Sequence, residues 1–222
     1  MGASRKPSDL RPLTSGFTLP SRLYVICDAE ACGRAGWTLV DYAAACLAGG
    51  ARLLQIRAKT LAGRDFLEAA SAIVARALPA GATVIVNDRA DIARLSGAAG
   101  VHVGQDDLTP AQVRAVVGPG AIVGLSTHTS DQLDRAVREP IDYLAIGPVF
   151  GTDTKATGYD PIGIEAVRRA SAAARGVPLV AIGGITRERA RSVLDAGANS
   201  VAVITDLLRG SDPTARVREF LG

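Results

Sequence analysis

One pattern governs this chain: a short β-branched run, a Gly, Asp or Asn, then an amphipathic stretch at helical spacing, repeated eight times. The apolar runs fall at 22–27, 52–56, 83–86, 100–103, 122–125, 143–146, 179–182 and 200–204. Each is nearly continuous in apolar residues, as strands buried on both faces of a parallel sheet are, whereas a half-exposed sheet would alternate. Helical stretches lie between them at 64–77, 110–117, 131–138, 161–174 and 187–196. Thr109 before Pro110, Ser130 with Asp131, and Thr186 ahead of Glu188 carry helix-capping chemistry. Gly49-Gly50-Ala51 and Ala196-Gly197-Ala198 read as helix C-caps that turn into the next strand.

Eight such units leave two architectures. A doubly wound sheet gathers its chemistry at one switch point, whereas a (β/α)8 barrel spreads it around one rim. Here Asp28, Arg57, Asn87, Asp88, 104–107, Ser126, His128, 152–155, Gly183, Gly184 and Thr205 all follow the carboxyl ends of runs. Nearly every run contributes, so the fold expected is α/β, a single-domain (β/α)8 TIM barrel over 21–222. Residues 1–20 are rich in Ser and Pro without helical periodicity and are expected to be a disordered leader. With 48% hydrophobic but only 4% aromatic residues, the core is expected to be aliphatic.

The net charge of +3 is not a clue to a ligand. Arg5, Lys6 and Arg11 against Asp9 give the first twenty residues +2, leaving +1 for the rest. That is no basic face, and nucleic acid is not expected as a partner. No apolar run is long enough to span a bilayer, so no membrane partner is expected. Cys27, Cys32 and Cys46 lack C-x-x-C spacing and are odd in number, which fits free thiols in a reducing cytoplasm.

The rim residues carry recognisable chemistry. Alternation puts Gln55, Arg57 and Lys59 on one side of the second strand, where a forked guanidinium beside an ammonium suits a phosphate or diphosphate. A solvated basic loop is the competing reading. Asp88 and Asp107 end adjacent strands and are hard oxygen ligands that one Mg²⁺ can bridge. Taken singly, each is explained by an Asx turn or a helix cap; together with the basic cluster, a metal-diphosphate site is the better account. His102 reads as a hydrogen-bonded wall histidine in preference to a base, and His128 is equally ambiguous. Two histidines without clustered Cys partners make no zinc site. The loop 147–155, with two hydroxyls and a lysine, can approach a phosphorylated ligand. Gly183-Gly184 and Ile204-Thr205 offer backbone amides after strands seven and eight, where barrels of this kind hold phosphate.

Six motifs stand in register: Q-x-R-x-K at 55–59, V-N-D at 86–88, H-x-G-Q-x-D-L at 102–108, G-x-S-x-H at 124–128, G-P-x-F-x-T-x-T-K at 147–155 and I-G-G-I at 182–185. In this order they resemble the thiamine-phosphate synthase family, over about 23–208. The resemblance implies coupling of an aminomethylpyrimidine diphosphate to a (carboxy)thiazole ethyl phosphate, giving thiamine phosphate and diphosphate. It implies that Gln55, Ile56, Arg57, Ala58, Lys59, Asn87, Ser126 and Lys155 hold the pyrimidine diphosphate, with Arg57, Lys59 and Lys155 stabilising the departing charge. Thr152, Asp153, Thr154, Gly184, Ile204 and Thr205 would hold the thiazole phosphate, and Asp88 and Asp107 would bind Mg²⁺. Ionisation of the methylene-diphosphate bond would precede attack by the thiazole nitrogen, which asks for little proton transfer.

Three departures stand out. Ala58 occupies a position where the family often has Glu, removing a carboxylate that would pair with Arg57 or Lys59. Thr205 replaces a common Ser, and 156–163 is short. The related thiazole tautomerase branch is the alternative; it lacks the paired carboxylates and typically has Cys where this chain has Thr154. A non-catalytic phosphate-binding regulator on the same barrel would not need a metal-diphosphate half-site. Family members are often dimers, and a homodimer is expected on that ground.

Overall fold

A computed structural model describes residues 16–151 and 158–222. Among these residues eight parallel strands close into a barrel in sequence order: β1 (Leu23–Asp28), β2 (Leu53–Arg57), β3 (Thr83–Asn87), β4 (Gly100–Val103), β5 (Ile122–Thr127), β6 (Tyr143–Ile146), β7 (Leu179–Ile182) and β8 (Ser200–Val203). The ring is sealed by β8 pairing with β1, where Leu23 meets Val201. The helices are α1 (Ala29–Arg34), α2 (Leu39–Ala48), α3 (Gly63–Ala77), α4 (Ala90–Ser96), α5 (Pro110–Val117), α6 (Ser130–Ala136), α7 (Gly163–Ala173), α8 (Arg187–Asp195) and α9 (Pro213–Leu221). A 3-10 turn, Thr205–Leu208, follows β8. The (β/α)8 expectation holds, and four strands run one or two residues further than their apolar runs, ending at Asp28, Arg57, Asn87 and Thr127. The polar rim residues there are the last rungs of strands, fixed by ladder hydrogen bonds.

Two apolar layers follow from strand alternation. Outward residues such as Val25, Leu54, Ile56, Val86 and Val123 pack with Phe66, Ile73 and Val113 of the helices. Inward residues Tyr24, Ile26, Leu53, Ile85, Tyr143, Ala145, Val180 and Ala202 fill the barrel itself. Each fully buried aliphatic side chain contributes roughly 1.5–3 kcal/mol relative to exposure. Within the expected leader, Phe17 and Leu19 already pack against the interior layer; residues 1–15 lie outside the described residues.

Local chemistry sets the helix ends. Thr109 and Gln112 form a reciprocal capping box on α5. On α6 the cap is Thr129, which accepts from the Gln132 amide at 3.2 Å, so it lies one residue before the expected Ser130. Thr186 precedes α8 without a side-chain cap bond. The first crossover divides into α1 and α2, and Asp28 caps α1 by accepting from the Ala31 amide at 2.9 Å. The last helix, α9, closes the outer ring against α2, where the Thr214 hydroxyl donates to the Ala45 carbonyl at 3.1 Å. Cys27, Cys32 and Cys46 are free and buried.

Candidate active site

At the carboxyl ends of β1 and β2 the ladder places Asp28 opposite Arg57. The Arg57 guanidinium donates to Asp28 Oδ2, while Asp28 Oδ1 holds the α1 amide. One buried carboxylate thus fixes a helix start and a rim cation together. Lys59, two residues past Arg57, pairs with Asp88. Asp88 has a left-handed backbone with φ of 61°, which swings its side chain off the end of β3 toward the mouth. Its amide donates to the His102 carbonyl at 2.8 Å, which pins that turn to β4.

Asp107 comes from the loop after β4, where it accepts from the Gly104 amide at 2.8 Å. Thr109 performs the helix capping, so Asp107 is not spent on α5. It lies within hydrogen-bonding reach of Asp88. Burial pushes the Asp88 carboxyl above the usual carboxylate range; Lys59 opposes that rise and Asp107 adds to it. Two carboxylates forced together in a partly buried mouth are suited to a shared cation. Among the described residues no cluster of three or more His, Cys, Asp or Glu forms. Two carboxylates are nevertheless the donor set expected for Mg²⁺, which keeps waters and takes its remaining oxygens from phosphates. The residues present fit the ion.

Gln55 of β2 and Ser126 of β5 both reach hydrogen-bond partners inside the barrel. The Gln55 amide nitrogen donates to the Tyr24 hydroxyl at 3.0 Å, and the Ser126 hydroxyl meets His102 Nε2 at 2.8 Å. Asn87 is the half-buried last residue of β3. Ile56 is fully buried among the helices and Ala58 packs in the same outer layer at 9% exposure, so a contact from either to a ligand runs through backbone. Ala58 therefore leaves no unpaired cation behind: Arg57 and Lys59 take their carboxylates from Asp28 and Asp88.

On the far side of the rim, Gly184 and Thr205 border a cleft of about 570 Å³. Gly184 has φ of 59°, and a Cβ there would lie 2.5 Å from the Gly151 carbonyl, so only glycine fits the loop. Ile204 is half-buried against the interior layer. Beneath Thr205, buried Asp206 accepts from Arg216 of α9 at 2.6 Å and from the Arg187 amide of α8 at 3.2 Å, anchoring the 3-10 turn. Arg34, Arg189 and Arg209 line the same cleft and were not anticipated from the sequence. Arg189 donates to the Gly184 carbonyl at 2.9 Å and lies 4.6 Å from the Phe150 ring centre. Arg209 follows a predicted phosphate loop directly, which is the one signal that could have found it. His128 donates from Nδ1 to the Gly147 carbonyl at 2.6 Å and stacks on Tyr159 at 4.2 Å. Thr152, Asp153, Thr154 and Lys155 lie outside the described residues.

The fold and rim define a class: a (β/α)8 barrel whose carboxyl-end face gathers cations, paired carboxylates and glycine-rich loops, the equipment of an enzyme of phosphorylated substrates. A family model described as thiamine monophosphate synthase matches residues 23–207. The chain belongs to that family. It is 50% identical to the thiamine-phosphate synthase of Koribacter versatilis (strain Ellin345) over 211 residues, covering 94% of this chain and 98% of that protein. To the thiamine-phosphate synthase of Chlorobium luteolum it is 44% identical, over 82% of this chain and 85% of that one. The solved thiamine phosphate pyrophosphorylase of Pyrococcus furiosus superposes with a TM-score of 0.81 at 30% identity, covering 90% and 93% of the two chains.

Proposed function

We propose that this chain is a thiamine-phosphate synthase that couples a pyrimidinylmethyl diphosphate to a thiazole ethyl phosphate. The observation that carries the reading is the convergence of Asp88, Asp107 and Lys59 beside the Asp28-tethered Arg57. In the reaction the methylene C–O bond breaks and diphosphate leaves with the bonding electrons. The thiazole nitrogen lone pair then forms the new C–N bond. No side chain has to move a proton, consistent with a mouth that offers charge in place of an acid-base dyad. Asp88 and Asp107 would hold Mg²⁺, which when bound neutralises part of the leaving diphosphate's charge. Arg57, Lys59 and Lys155 would meet the rest, with Gln55, Asn87, Ser126 and the backbone of Ile56 and Ala58 around the pyrimidine half. Fixed cations aimed at a developing charge are each worth about 10²- to 10³-fold in rate.

Gly184, Ile204 and Thr205, with Thr152, Asp153 and Thr154, would hold the thiazole phosphate in the second cleft. The methyl of Thr205 is accommodated because that residue is exposed on the cleft. We place the enzyme in the cytoplasm; buried free thiols support this, and no helix among the described residues is long and apolar enough to cross a membrane.

Purified protein incubated with both substrates and Mg²⁺ is expected to release diphosphate only when the thiazole is present. Release without thiazole would mean hydrolysis. Tautomerisation of the carboxythiazole without release would install the tautomerase reading in its place.

A further inference from the structure

A polar chain crosses the interior of the barrel beneath the mouth, in a layer otherwise filled by aliphatic side chains. It runs from Gln55 Nε2 to the Tyr24 hydroxyl (3.0 Å), to the Tyr143 hydroxyl (2.9 Å), to His102 Nδ1 (2.9 Å), and from His102 Nε2 to the Ser126 hydroxyl (2.8 Å). Tyr24 and Tyr143 are 1% exposed, Gln55 5% and His102 7%. The two ends, Gln55 on β2 and Ser126 on β5, are both residues of the proposed pyrimidine site. Space for the crossing comes from Gly124, where a Cβ would lie 2.1 Å from the Tyr143 ring and 2.5 Å from His102 Nδ1.

The donors can be counted through this chain, because a phenol has one proton and a neutral imidazole has one. Tyr24 accepts from the Gln55 amide, so its own proton goes to Tyr143. Tyr143 accepts that proton's hydrogen bond, so it gives its own to His102 Nδ1. His102 Nδ1 is then bare, and the ring proton sits on Nε2, where it is donated to Ser126 Oγ. The Ser126 proton therefore has no place inside and faces the mouth. Turning the Gln55 amide over would reverse every link and aim Ser126 lone pairs at an incoming anion instead. The structure holds the first ordering, with the Gln55 amide nitrogen on the Tyr24 hydroxyl, and that ordering is the one that suits an anionic ligand.

We propose that Tyr24, Tyr143 and His102 are positioning residues that make Ser126 a donor toward an anionic oxygen of the pyrimidine diphosphate. This rests on the proposed synthase function for the identity of the ligand, but the proton ordering stands on the geometry of the chain alone.

The test begins with the full wild-type chain labelled with ¹⁵N-histidine. Only His102 and His128 contribute signals, and His128→Gln assigns them. At neutral pH the His102 ring is expected to show a protonated Nε2 and a bare Nδ1; a protonated Nδ1, alone or in an imidazolium, overturns the ordering. Tyr143→Phe removes the link, and the His102 signals should move toward a mixture of tautomers. Its kcat should fall about tenfold, short of the about 10²- to 10³-fold expected for losing the Ser126 donor itself, with little change in KM for the thiazole. In a Ser126→Ala background Tyr143→Phe should cost nothing further, since the effect runs through Ser126. Additive losses would overturn the positioning role. If the tautomer is as expected while Ser126→Ala retains full turnover, the ordering survives and the assignment of Ser126 to the ligand fails.

Discussion

Asp28 performs two separable tasks, and two substitutions divide them. Its Oδ1 accepts from the Ala31 amide at 2.9 Å, capping α1, and its Oδ2 pairs with Arg57. Asp28→Asn keeps a side-chain oxygen for the cap, since Asn and Asp are about equal at that position. It loses the charge on the Arg57 bond, a loss of about 1.5–3 kcal/mol for a charged partner. The Arg57 side chain is 16% exposed against 4% for Asp28, so water reaches the guanidinium and the lower end, about 1.5 kcal/mol, applies. Asp28→Ala also removes the cap, adding about 1 kcal/mol. Urea unfolding should therefore rank wild type above Asn above Ala, with similar slopes and about 1 kcal/mol between the two variants. Both variants free Arg57 from its tether, so both should lose activity to the same degree. If Asn and Ala unfold at the same urea concentration, the cap is worthless. If Asn matches wild type in stability and turnover, the ion pair neither holds the fold nor aims Arg57.

Three further outcomes follow, one from the proposed site residues, one from the packing of the barrel interior and one from the buried thiols. Asp107→Asn and Lys155→Ala are each expected to lower coupling by about 10²- to 10³-fold while leaving the thermal unfolding midpoint near wild type; full turnover with Mg²⁺ present would break the site assignment. Gly124→Ala drives a methyl into Tyr143 and His102, an overpacking that costs about 1–3 kcal/mol in chemical denaturation, and an unchanged midpoint would mean that the interior chain is loosely held. Burial pushes the Cys32 and Cys46 thiols from 9.0 up to about 12 and raises Cys27 well above 9.0. A raised thiol adds stability that is complete below its unfolded value and fades as pH climbs from there toward the folded one. Stability should thus decline above about pH 9, near the unfolded thiol range, and a thiol reagent at pH 8 should label the cysteines only after denaturant is added.

The legible part of this molecule is the part written in local periodicity. Apolar runs and punctuation are enough to count eight strands, and strand parity alone puts Gln55 and Arg57 on the inner side. Partnerships across strands are another matter, because they depend on register, which closure of the ring decides. That Asp28 faces Arg57 follows from β1 and β2 pairing at that rung, and nothing within either segment announces it. The same holds for the interior chain: Tyr24, His102 and Tyr143 read as core residues of three separate strands, and only the closed barrel brings their polar atoms within 3 Å. Register also resolves the departure at position 58. A missing Glu in the Q-x-R-x-K segment predicts an untethered Arg57 or Lys59, yet Ala58 faces the helices, and the tethers come from neighbouring strands. A motif compared letter by letter registers a lost carboxylate; the barrel shows Arg57 and Lys59 still paired, because their partners come from neighbouring strands and not from their own.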